Sequence, residues 1–301
     1  MAKPKSPLLS LDARGSVASS LTFQGRNQGT IARKKPTPTD PYSLPQAYQR
    51  WLYRDYAYLW TLLSESEKQV YRTAGSRYHL TGFQYWMRGK LREVNDIVGM
   101  WHLDEATGTV AHDSSKNLNH GTVFGALPAI GLISNCRWFD GIDDRIVIPH
   151  SPIFDITEEA TWMAFINPFD ITRAWSNIIS KADAFRTPLE LHAGKLYAVL
   201  YQEGIDFHYD SLTLAWLNTW QLFTVTFSYS ANKVKFYRNN VLLRTLAANN
   251  RRLSTSAMPV QIGRFHVYNP EAFPGYIDNP IIFNRSLDQT EIARWAERRY
   301  P

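Results

Sequence analysis

The order of apolar and polar positions changes at about residue 96 and divides the chain into two patterns. Between residues 43 and 95, large apolar side chains recur at spacings of three, four and seven, which is typical of amphipathic helices. They are Ala47, Trp51, Tyr58, Leu62, Val70, Tyr71, Phe83, Trp86, Met87 and Leu91. After residue 96, short apolar or alternating runs, such as those at 145–148 and 222–227, are separated by turn residues. Many short strands without intervening helices predict a mainly β fold, an antiparallel jelly-roll β-sandwich.

Capping sequences indicate where the helices begin. In a capping box, a Ser or Thr side chain and a Glu or Gln three residues later satisfy two free backbone amides reciprocally. Matches start at Ser43, Ser64, Thr81 and Ser286. The first three predict a small three-helix unit over residues 43–95, whose aromatic stripe forms a core. The fourth predicts a C-terminal helix that ends at Arg298.

Residues 1–42 show neither pattern. Glycines interrupt short β-prone pieces at 21–23 and 30–32, and a basic run then leads into a segment with prolines between positions 36 and 41. That proline spacing favours polyproline II over helix or central strand. Because so little apolar surface cannot offset the entropy of ordering, we expect an extended basic arm that becomes ordered on a partner. A disordered tail without a role is the alternative.

Charge is distributed unevenly along the chain. Residues 1–95 contain 15 Lys and Arg against 6 Asp and Glu, a net charge of +9, whereas residues 96–301 contain 18 against 21, a net charge of −3. Such asymmetry is typical of a basic anchoring segment joined to an independent domain. The residues expected to anchor are Arg26, Arg33, Lys34 and Lys35. Their partner is an acidic protein surface or nucleic acid, and we favour the protein surface.

Cysteine content and hydropathy indicate the cellular compartment in which the protein is made. Cys136 is the single cysteine, so no disulfide holds the fold within the chain, and we expect it to be a small buried apolar residue. No apolar run follows the basic N-terminal residues, and no stretch approaches the roughly 18 uncharged residues of a membrane helix. We therefore expect synthesis in the cytosol, no membrane attachment, and an exit from the cell that does not use secretion.

Several segments of the β-rich part resemble the laminin-G-like, concanavalin A-like jelly-roll family. Its opening is similar to WHLDEATG at 101–108, DSSKNLNHGT at 113–122 and FDGIDD at 139–144. Its later strands are similar to NTW at 218–220, KVKFY at 233–237, GYID at 275–278 and the segment 283–292. The resemblance spans about residues 97–301 and implies a sandwich that binds a ligand, which in this family is a sugar, a protein or a lipid.

The N-terminal part resembles a segment of phage and prophage virion proteins. The similar features are the glycine-punctuated arm, the RKKPTPTDP stretch at 33–41 and a small helical unit. Together the two resemblances imply a virion structural protein, such as a capsid decoration, turret or fibre component. Residues 1–95 would contact major capsid or tail proteins, and the outward domain would bind host-surface glycans. The protein would be a homo-oligomer on the virion surface, assembled in the host cytoplasm.

Two other functions stay open. One is a cellular glycan-binding or adhesion protein, which requires an exported form. The other is a DNA-binding protein, because the basic helical unit is faintly similar to an HMG box; this function requires residues 1–95 to bind duplex DNA at physiological salt.

The sequence lacks the signature of the fold's hydrolases. Those enzymes are expected to carry E-x-D-x-x-E on one strand, because hydrolysis of a glycosidic bond needs two carboxylates that flank it. The nearest match, Glu203-Gly-Ile-Asp206, has a different spacing and a glycine that indicates a turn. We therefore predict that the protein is not an enzyme and needs no catalytic cofactor.

Oxygen-bearing side chains suggest a structural calcium ion. Calcium takes six to eight oxygen ligands, which often come from loop carboxylates and carbonyls. The predicted ligands are Asp113, Asn117, His120, Asp140 and Asp278, with Asn119, Asp143 and Asp144 nearby in sequence. The alternative is that Asp113 and Asp140 fix turns through Asx hydrogen bonds, and both interpretations stay open at this point.

Aromatic and planar polar side chains at predicted loops and strand ends suggest a glycan site. Sugar binding requires apolar ring faces together with a few convergent polar groups. The predicted contacts are Trp175, Arg186, Tyr201, His208, Tyr209, His266 and Tyr268, with Phe185 and Phe207 beside them. Each of them taken alone is more often a packing residue than a ligand contact.

Overall fold

The structure is a computed structural model, and it describes residues 15–17, 21–26, 29–34, 53, 56–58, 60–132, 134–182, 184, 186–265 and 271–297. For residues 15–17, 21–26, 29–34 and 90–95 it describes the backbone alone. The predicted cap at Ser43, the predicted end at Arg298 and the residues Lys35, Phe185, His266 and Tyr268 lie outside the described residues. The chain forms two compact units, Met1–Ser43 and Leu44–Pro301.

The first unit contains an antiparallel β meander. Its strands are β1 (Gly15–Val17), β2 (Leu21–Arg26) and β3 (Gly29–Lys34), hydrogen-bonded in that order. The pieces predicted to be β-prone, 21–23 and 30–32, lie in β2 and β3. In the register of this pair, Leu21 lies opposite Lys34 and Arg26 opposite Gly29.

The helices of the second unit begin at capping boxes. Residues 56–58 and 60–62 are helical, and α1 (Glu65–Ser76) and α2 (Gly82–Asn95) follow. At α1, the Glu67 amide donates to Ser64 Oγ at 3.3 Å, and the Ser64 amide donates to Glu67 Oε2 at 2.8 Å. At α2, the Gln84 amide donates to Thr81 Oγ1 at 3.1 Å, and the Thr81 amide donates to Gln84 Oε1 at 2.9 Å. The caps predicted at Ser64 and Thr81 are confirmed.

The last helix, α3 (Gln289–Glu297), begins at a different cap from the predicted one. The Glu291 amide donates to Asp288 Oδ1 at 2.8 Å, and the Asp288 amide donates to Glu291 Oε2 at 2.9 Å. The prediction that Ser286 caps this helix is therefore wrong. Asp288 is as good an N-cap residue as serine, and here a glutamate three residues later completes its reciprocal pair.

Strands are the predominant regular elements of the second unit. The strands are β4 (Ile97–Met100), β5 (Val110–Ala111), β6 (Gly121–Phe124), β7 (Leu127–Ile130), β8 (Asn135–Asp140), β9 (Arg145–Ile148), β10 (Glu159–Pro168), β11 (Trp175–Lys181), β12 (Arg186–His192), β13 (Lys195–Gln202), β14 (Ile205–Leu214), β15 (Gln221–Ser228), β16 (Lys233–Arg238), β17 (Val241–Ala247), β18 (Val260–Ile262) and β19 (Pro274–Phe283). Sheet I has the order β17-β16-β15-β10-β19-β8-β7, with β4 also paired to β19, and sheet II has the order β14-β13-β12-β11-β18-β9-β6-β5. All these pairings are antiparallel, and they confirm the predicted jelly-roll sandwich.

The main hydrophobic core lies between the two sheets. It includes buried aromatic residues from sheet I, such as Trp162, Phe223 and Phe236, and aliphatic residues from sheet II. Successive side chains of a strand point to opposite faces. In β13, therefore, Leu196, Ala198 and Leu200 face the core, and Tyr197 and Val199 face away from it.

A second core covers the other face of sheet I. Trp86 and Met87 of α2 and Trp295 of α3 share this core with strand residues such as Met163 and Phe283. The predicted aromatic stripe is thus confirmed as core at Trp86 and Met87. It is wrong at three residues that are mostly exposed, Tyr58, Leu62 and Val70. A single layer of helices packs through one face, and these three side chains lie off that face.

Candidate functional site

A cleft of about 140 Å³ opens on the face of sheet II that points away from the main core. Residues of β11 to β14 and of the segment that follows β18 line it. They are Trp175, Arg186, Thr187, Glu190, Val199, Asp206, His208, Phe265 and Glu271. The neighbouring positions Leu189, Leu191, Ala198 and Tyr209 belong to the core. Strand alternation therefore separates these core residues from Glu190, Val199 and His208, and a register shift in β12 between Thr187 and Glu190 accompanies the lining by the adjacent residues Arg186 and Thr187.

Cross-strand register brings the cleft residues together. Glu190 of β12 lies opposite Tyr197 of β13, and Thr187 lies opposite Val199. Val199 in turn lies opposite His208 of β14. Directly opposite side chains are about 4.5–5.5 Å apart at their Cβ atoms, so residues distant in sequence form one continuous surface.

Aromatic rings form a row beside the cleft. The Trp175 and His192 rings stack, with centroids 3.9 Å apart and planes at 20°. Tyr197 packs edge-on against both, with centroid distances of 5.0 Å to His192 and 5.7 Å to Trp175. The His208 ring centroid is 6.0 Å from that of Tyr197. The row is partly exposed, which leaves ring surface for a ligand with apolar C–H groups.

Arg186 provides a cationic group at the cleft. Its Nε is 3.2 Å from Asp206 Oδ1. Its guanidinium carbon lies 6.0 Å from the Tyr201 ring centroid and 5.6 Å from that of Phe265. Planar contacts of this kind suit arginine, whose guanidinium stacks on rings while it binds a carboxylate.

Glu190 is the most buried acid of the cleft, with 1% of its surface exposed. Its Oε2 accepts a hydrogen bond from Asn177 Nδ2 at 3.0 Å. Burial raises the pKa of Glu190 well above its ordinary value, the negative charge of Glu271 adds to this, and Thr187 and Arg186 act in the opposite direction. Burial also raises the pKa of Glu271, and Arg186 lowers it. A carboxyl group that keeps its proton can donate a hydrogen bond as well as accept one.

The structure groups part of the predicted glycan site. Trp175, Arg186 and His208 line the cleft, and Tyr201 lies beside Arg186. Tyr209 does not line the cleft. It is 4% exposed and faces the core, whereas the preceding residue, His208, lines the cleft.

The Tyr209 hydroxyl is part of a buried hydrogen-bond network. It donates to Gln202 Oε1 at 3.0 Å and accepts from Asn249 Nδ2 at 2.8 Å, and burial raises the pKa of Tyr209 to about 12. The structure therefore corrects the expected placement of this residue at a strand end, because it lies within β14 and points inward.

Several cleft residues were missed in the sequence. Glu190 and Tyr197 lie within strands, whereas the prediction looked for contacts at loops and strand ends; His192 ends β12 and was missed at such a position. A signal was present, because Leu189-Glu190-Leu191-His192 alternates between apolar and polar positions. Glu271 carries no such signal, because it enters the cleft from the segment after β18.

The predicted calcium ligand Asp113 already has a full set of protein partners. Its Oδ1 accepts from the Met100 amide at 3.0 Å and from the Ser115 amide at 2.8 Å. Its Oδ2 accepts from Ser115 Oγ and from the Asn119 amide, each at 2.8 Å. These bonds match the Asx-turn alternative, and a metal would have to displace them.

The other predicted ligands of that loop are also engaged. Asn117 Nδ2 donates to the carbonyl oxygens of Ile97 and Val98, at 3.1 and 2.9 Å. His120 Nδ1 accepts from the Asp113 amide at 3.0 Å. Asp278 is buried, and its Oδ2 accepts from the Leu132 amide at 3.0 Å. The structure thus gives each of them a role within the fold.

Asp140 belongs to a different acidic cluster. One oxygen each of Asp140, Asp143 and Asp144 lies within 4.8 Å of the others. Burial raises the pKa of Asp144, and the charges of Asp140 and Asp143 raise it further. Calcium–oxygen bonds of 2.3–2.6 Å allow three such oxygens to surround one ion. In the described residues, this cluster brings three carboxylate oxygens together. Asp140 Oδ1 also accepts from the Ile142 amide at 2.7 Å, as the Asx-turn alternative expects, and Asp144 Oδ2 accepts from the Asp140 amide at 2.9 Å.

The nearest match to a hydrolase motif lies in a turn. Glu203 and Gly204 connect β13 to β14, with positive φ angles of 47° and 86°. Glu203 Oε2 binds Arg251 Nη1 at 3.0 Å, and Asp206 is paired with Arg186. The expected turn is confirmed, and the two carboxylates are held by separate arginines.

The residues predicted to anchor the chain lie in the meander. Arg26 is the last residue of β2, and Arg33 and Lys34 end β3.

Among the described residues, no helix is both long and apolar enough to cross a membrane.

Comparisons with solved structures show similar folds in binding domains. The binding domain of Paraclostridial Mosquitocidal Protein 1 aligns with a TM-score of 0.57 at 13% identity, over 67% of this chain and 52% of that chain. The botulinum neurotoxin serotype D binding domain aligns with a TM-score of 0.54 at 15% identity, over 69% and 52%. Domain 4 of AbnA, a GH43 extracellular arabinanase from Geobacillus stearothermophilus in complex with arabinotriose, aligns with a TM-score of 0.51 at 15% identity, over 67% and 98%. This chain thus spans about half the length of the two toxin domains, and likeness at these identities concerns the fold.

Sequence comparison gives the family. A search of curated proteins found no match. Residues 140–293, just over half of the chain, match the laminin-G-like profile described as the concanavalin A-like lectin/glucanases superfamily. With that match and the two-sheet sandwich, the chain belongs to the concanavalin A-like lectin/glucanase superfamily.

Proposed function

We propose that the protein is a non-enzymatic carbohydrate-binding protein and that a sugar binds in the cleft on sheet II. The observation that carries this proposal is the row of rings formed by Trp175, His192, Tyr197 and His208 beside Arg186 and buried acids. A sugar ring has apolar C–H faces and a rim of hydroxyls. Ring surfaces with a few oriented polar groups are the combination that recognises it. The arabinotriose complex of the AbnA domain, which has a similar fold, supports this ligand class.

Binding is favoured over hydrolysis because of the state of the acids. A glycosidase uses one carboxylic acid and one ionised carboxylate across the bond. In the cleft, burial raises the pKa values of both Glu190 and Glu271, and Asp206 is paired with Arg186. Asp206 is thus held by a cation, and the raised pKa values disfavour ionisation of the other two acids, so the described residues do not offer the free carboxylate that hydrolysis also needs. We expect bound oligosaccharides to be recovered intact by chromatography.

A glycan array with the whole chain tests the proposal. We expect binding to a defined set of glycans, with a loss of at least tenfold in Trp175→Ala, because that variant removes the stacked ring. The matched control is Phe124→Ala on β6 of the same sheet, where the ring is 42% exposed and lies outside the cleft. If the two variants bind equally well, or if no glycan binds the parent chain, the cleft is not a sugar site.

We further propose that residues 1–95 attach the sandwich to a virion as a structural component. The net charge of +9 in this segment and the separate compact unit at Met1–Ser43 support an anchoring role. The partners would be capsid or tail proteins, and the protein would be a homo-oligomer on the particle surface. Deleting residues 1–42 should leave the thermal unfolding of the sandwich unchanged and abolish incorporation into particles. Unchanged incorporation would refute this role.

We also propose that the acidic cluster of Asp140, Asp143 and Asp144 holds a structural calcium ion. The close approach of its three oxygens supports this site. When bound, the ion would neutralise repulsion among three carboxylates and fix the turn after β8.

A further inference from the structure

Two polar atoms of the cleft lack partners. Glu190 Oε1 and Thr187 Oγ1 are buried and form no hydrogen bond of good geometry within the described residues. The Thr187 hydroxyl lowers the pKa of the carboxyl group, yet it is not a hydrogen-bond partner of good geometry for it. Leaving a buried polar group unsatisfied is destabilising, and such groups in native proteins call for an explanation. A ligand that enters the cleft can satisfy both atoms.

The charge of the cleft restricts that ligand. Among the described residues, three acids, Glu190, Asp206 and Glu271, and one arginine, Arg186, line it. Asp206 already lies 3.2 Å from Arg186 Nε. A sugar carboxylate or sulfate would therefore meet a cation that already has a carboxylate partner. Burying an ionised group that lacks an opposite charge is strongly unfavourable.

We propose that the cleft selects an uncharged sugar unit with adjacent hydroxyls and rejects acidic sugars. The inference rests on the proposed carbohydrate-binding function. A sugar hydroxyl both donates and accepts, so neighbouring hydroxyls can serve Glu190 Oε1 and Thr187 Oγ1 together. A carboxylate or sulfate group accepts only, and the arginine that could balance its charge is already paired with Asp206.

Matched sugar pairs test this selection. The array's best neutral glycan is compared by calorimetry with its counterpart in which a carboxylate replaces the C6 hydroxymethyl group of the terminal unit. We expect at least tenfold weaker binding of the acidic counterpart. Equal or tighter binding of the acid overturns the inference and leaves the proposed sugar binding intact. Failure of every glycan to bind overturns both.

Two variants test separately the hydrogen bonding by Thr187 and the charge of the cleft. Thr187→Val keeps the side-chain shape and should weaken binding of the neutral glycan about tenfold; Thr122→Val, at an exposed position of β6, is the control. Asp206→Asn removes the carboxylate beside Arg186 and should shift the neutral-to-acid affinity ratio toward the acid, which loss of packing alone would not do. Unchanged affinity in Thr187→Val together with an unchanged ratio in Asp206→Asn would overturn the inference.

Discussion

Replacing Glu190 with glutamine should stabilise the protein at neutral pH by an amount that grows as pH rises. Glu190 is 1% exposed, and burial holds its pKa well above the ordinary value of 4.5. The folded protein therefore keeps a proton that the unfolded chain releases. For a raised pKa, the contribution to stability is fully present below about pH 4.5 and is lost as pH rises toward the folded pKa.

The magnitude follows from the number of protons involved. One proton taken up on folding reduces stability by about 1.4 kcal/mol for each pH unit. Glutamine does not titrate, and its amide oxygen can still accept the bond from Asn177 Nδ2, which is 3.0 Å long in the parent. The stability difference between Glu190→Gln and the parent should thus widen by up to this amount per unit above pH 4.5.

Urea unfolding at a series of pH values between about 5 and 8 measures this slope. Asp170→Asn is a control of opposite sign, because hydrogen bonds from Thr172 lower the pKa of Asp170. The stabilisation by the Asp170 carboxylate is fully present above the pKa of the unfolded chain and is lost only as pH falls below it. The stability difference between Asp170→Asn and the parent should therefore stay constant across this pH range. Parallel stability curves for Glu190→Gln and the parent would refute the assignment of Glu190 as a buried, protonated acid.

Three further predictions concern other parts of the molecule. Ser64→Ala should destabilise the protein by about 1 kcal/mol in urea, because it removes the cap of α1; no change would mean that α1 contributes little to the cooperative unit. Burial, and then the charge of Asp278, raises the pKa of Cys136 to about 12, so a thiol reagent at pH 8 should modify it in urea and not in the native protein. Rapid native labelling would contradict this. Calcium should raise the melting temperature of the parent, and Asp143→Asn should abolish the increase; an equal increase in both would place the ion elsewhere.

Much of the fold could be predicted because its signals are local. The caps at Ser64 and Thr81 depend on residues three positions apart, and strand patterns with turn residues gave the sandwich. Strand order depends on distant pairings instead, such as that of β10 with β19, and no local pattern encodes it. The burial of Trp86 with Trp295 in a second core is likewise a long-range packing result. The same limit explains why Tyr58 and Val70 were assigned to a core.

The candidate site was predictable in its residue types and less so in its geometry. Trp175, Arg186 and His208 were identified by chemistry, and register brings them into one cleft. Tyr209 was predicted with its neighbours as part of a loop or strand end, but adjacent residues of a strand face opposite sides. Glu190 was omitted because the prediction considered loops and strand ends, and its surroundings include Phe265 and Glu271, which come from a distant segment.

The central claim is that a sugar occupies the cleft on sheet II. Nuclear magnetic resonance titration of the ¹⁵N-labelled protein with the best glycan from the array tests it most directly, with the tryptophan indole signals as reporters. We expect the indole signal of Trp175 to shift in proportion to occupancy, while that of Trp162, buried in the main core, stays in place. A saturable titration that moves other signals and leaves Trp175 unchanged would contradict the claim.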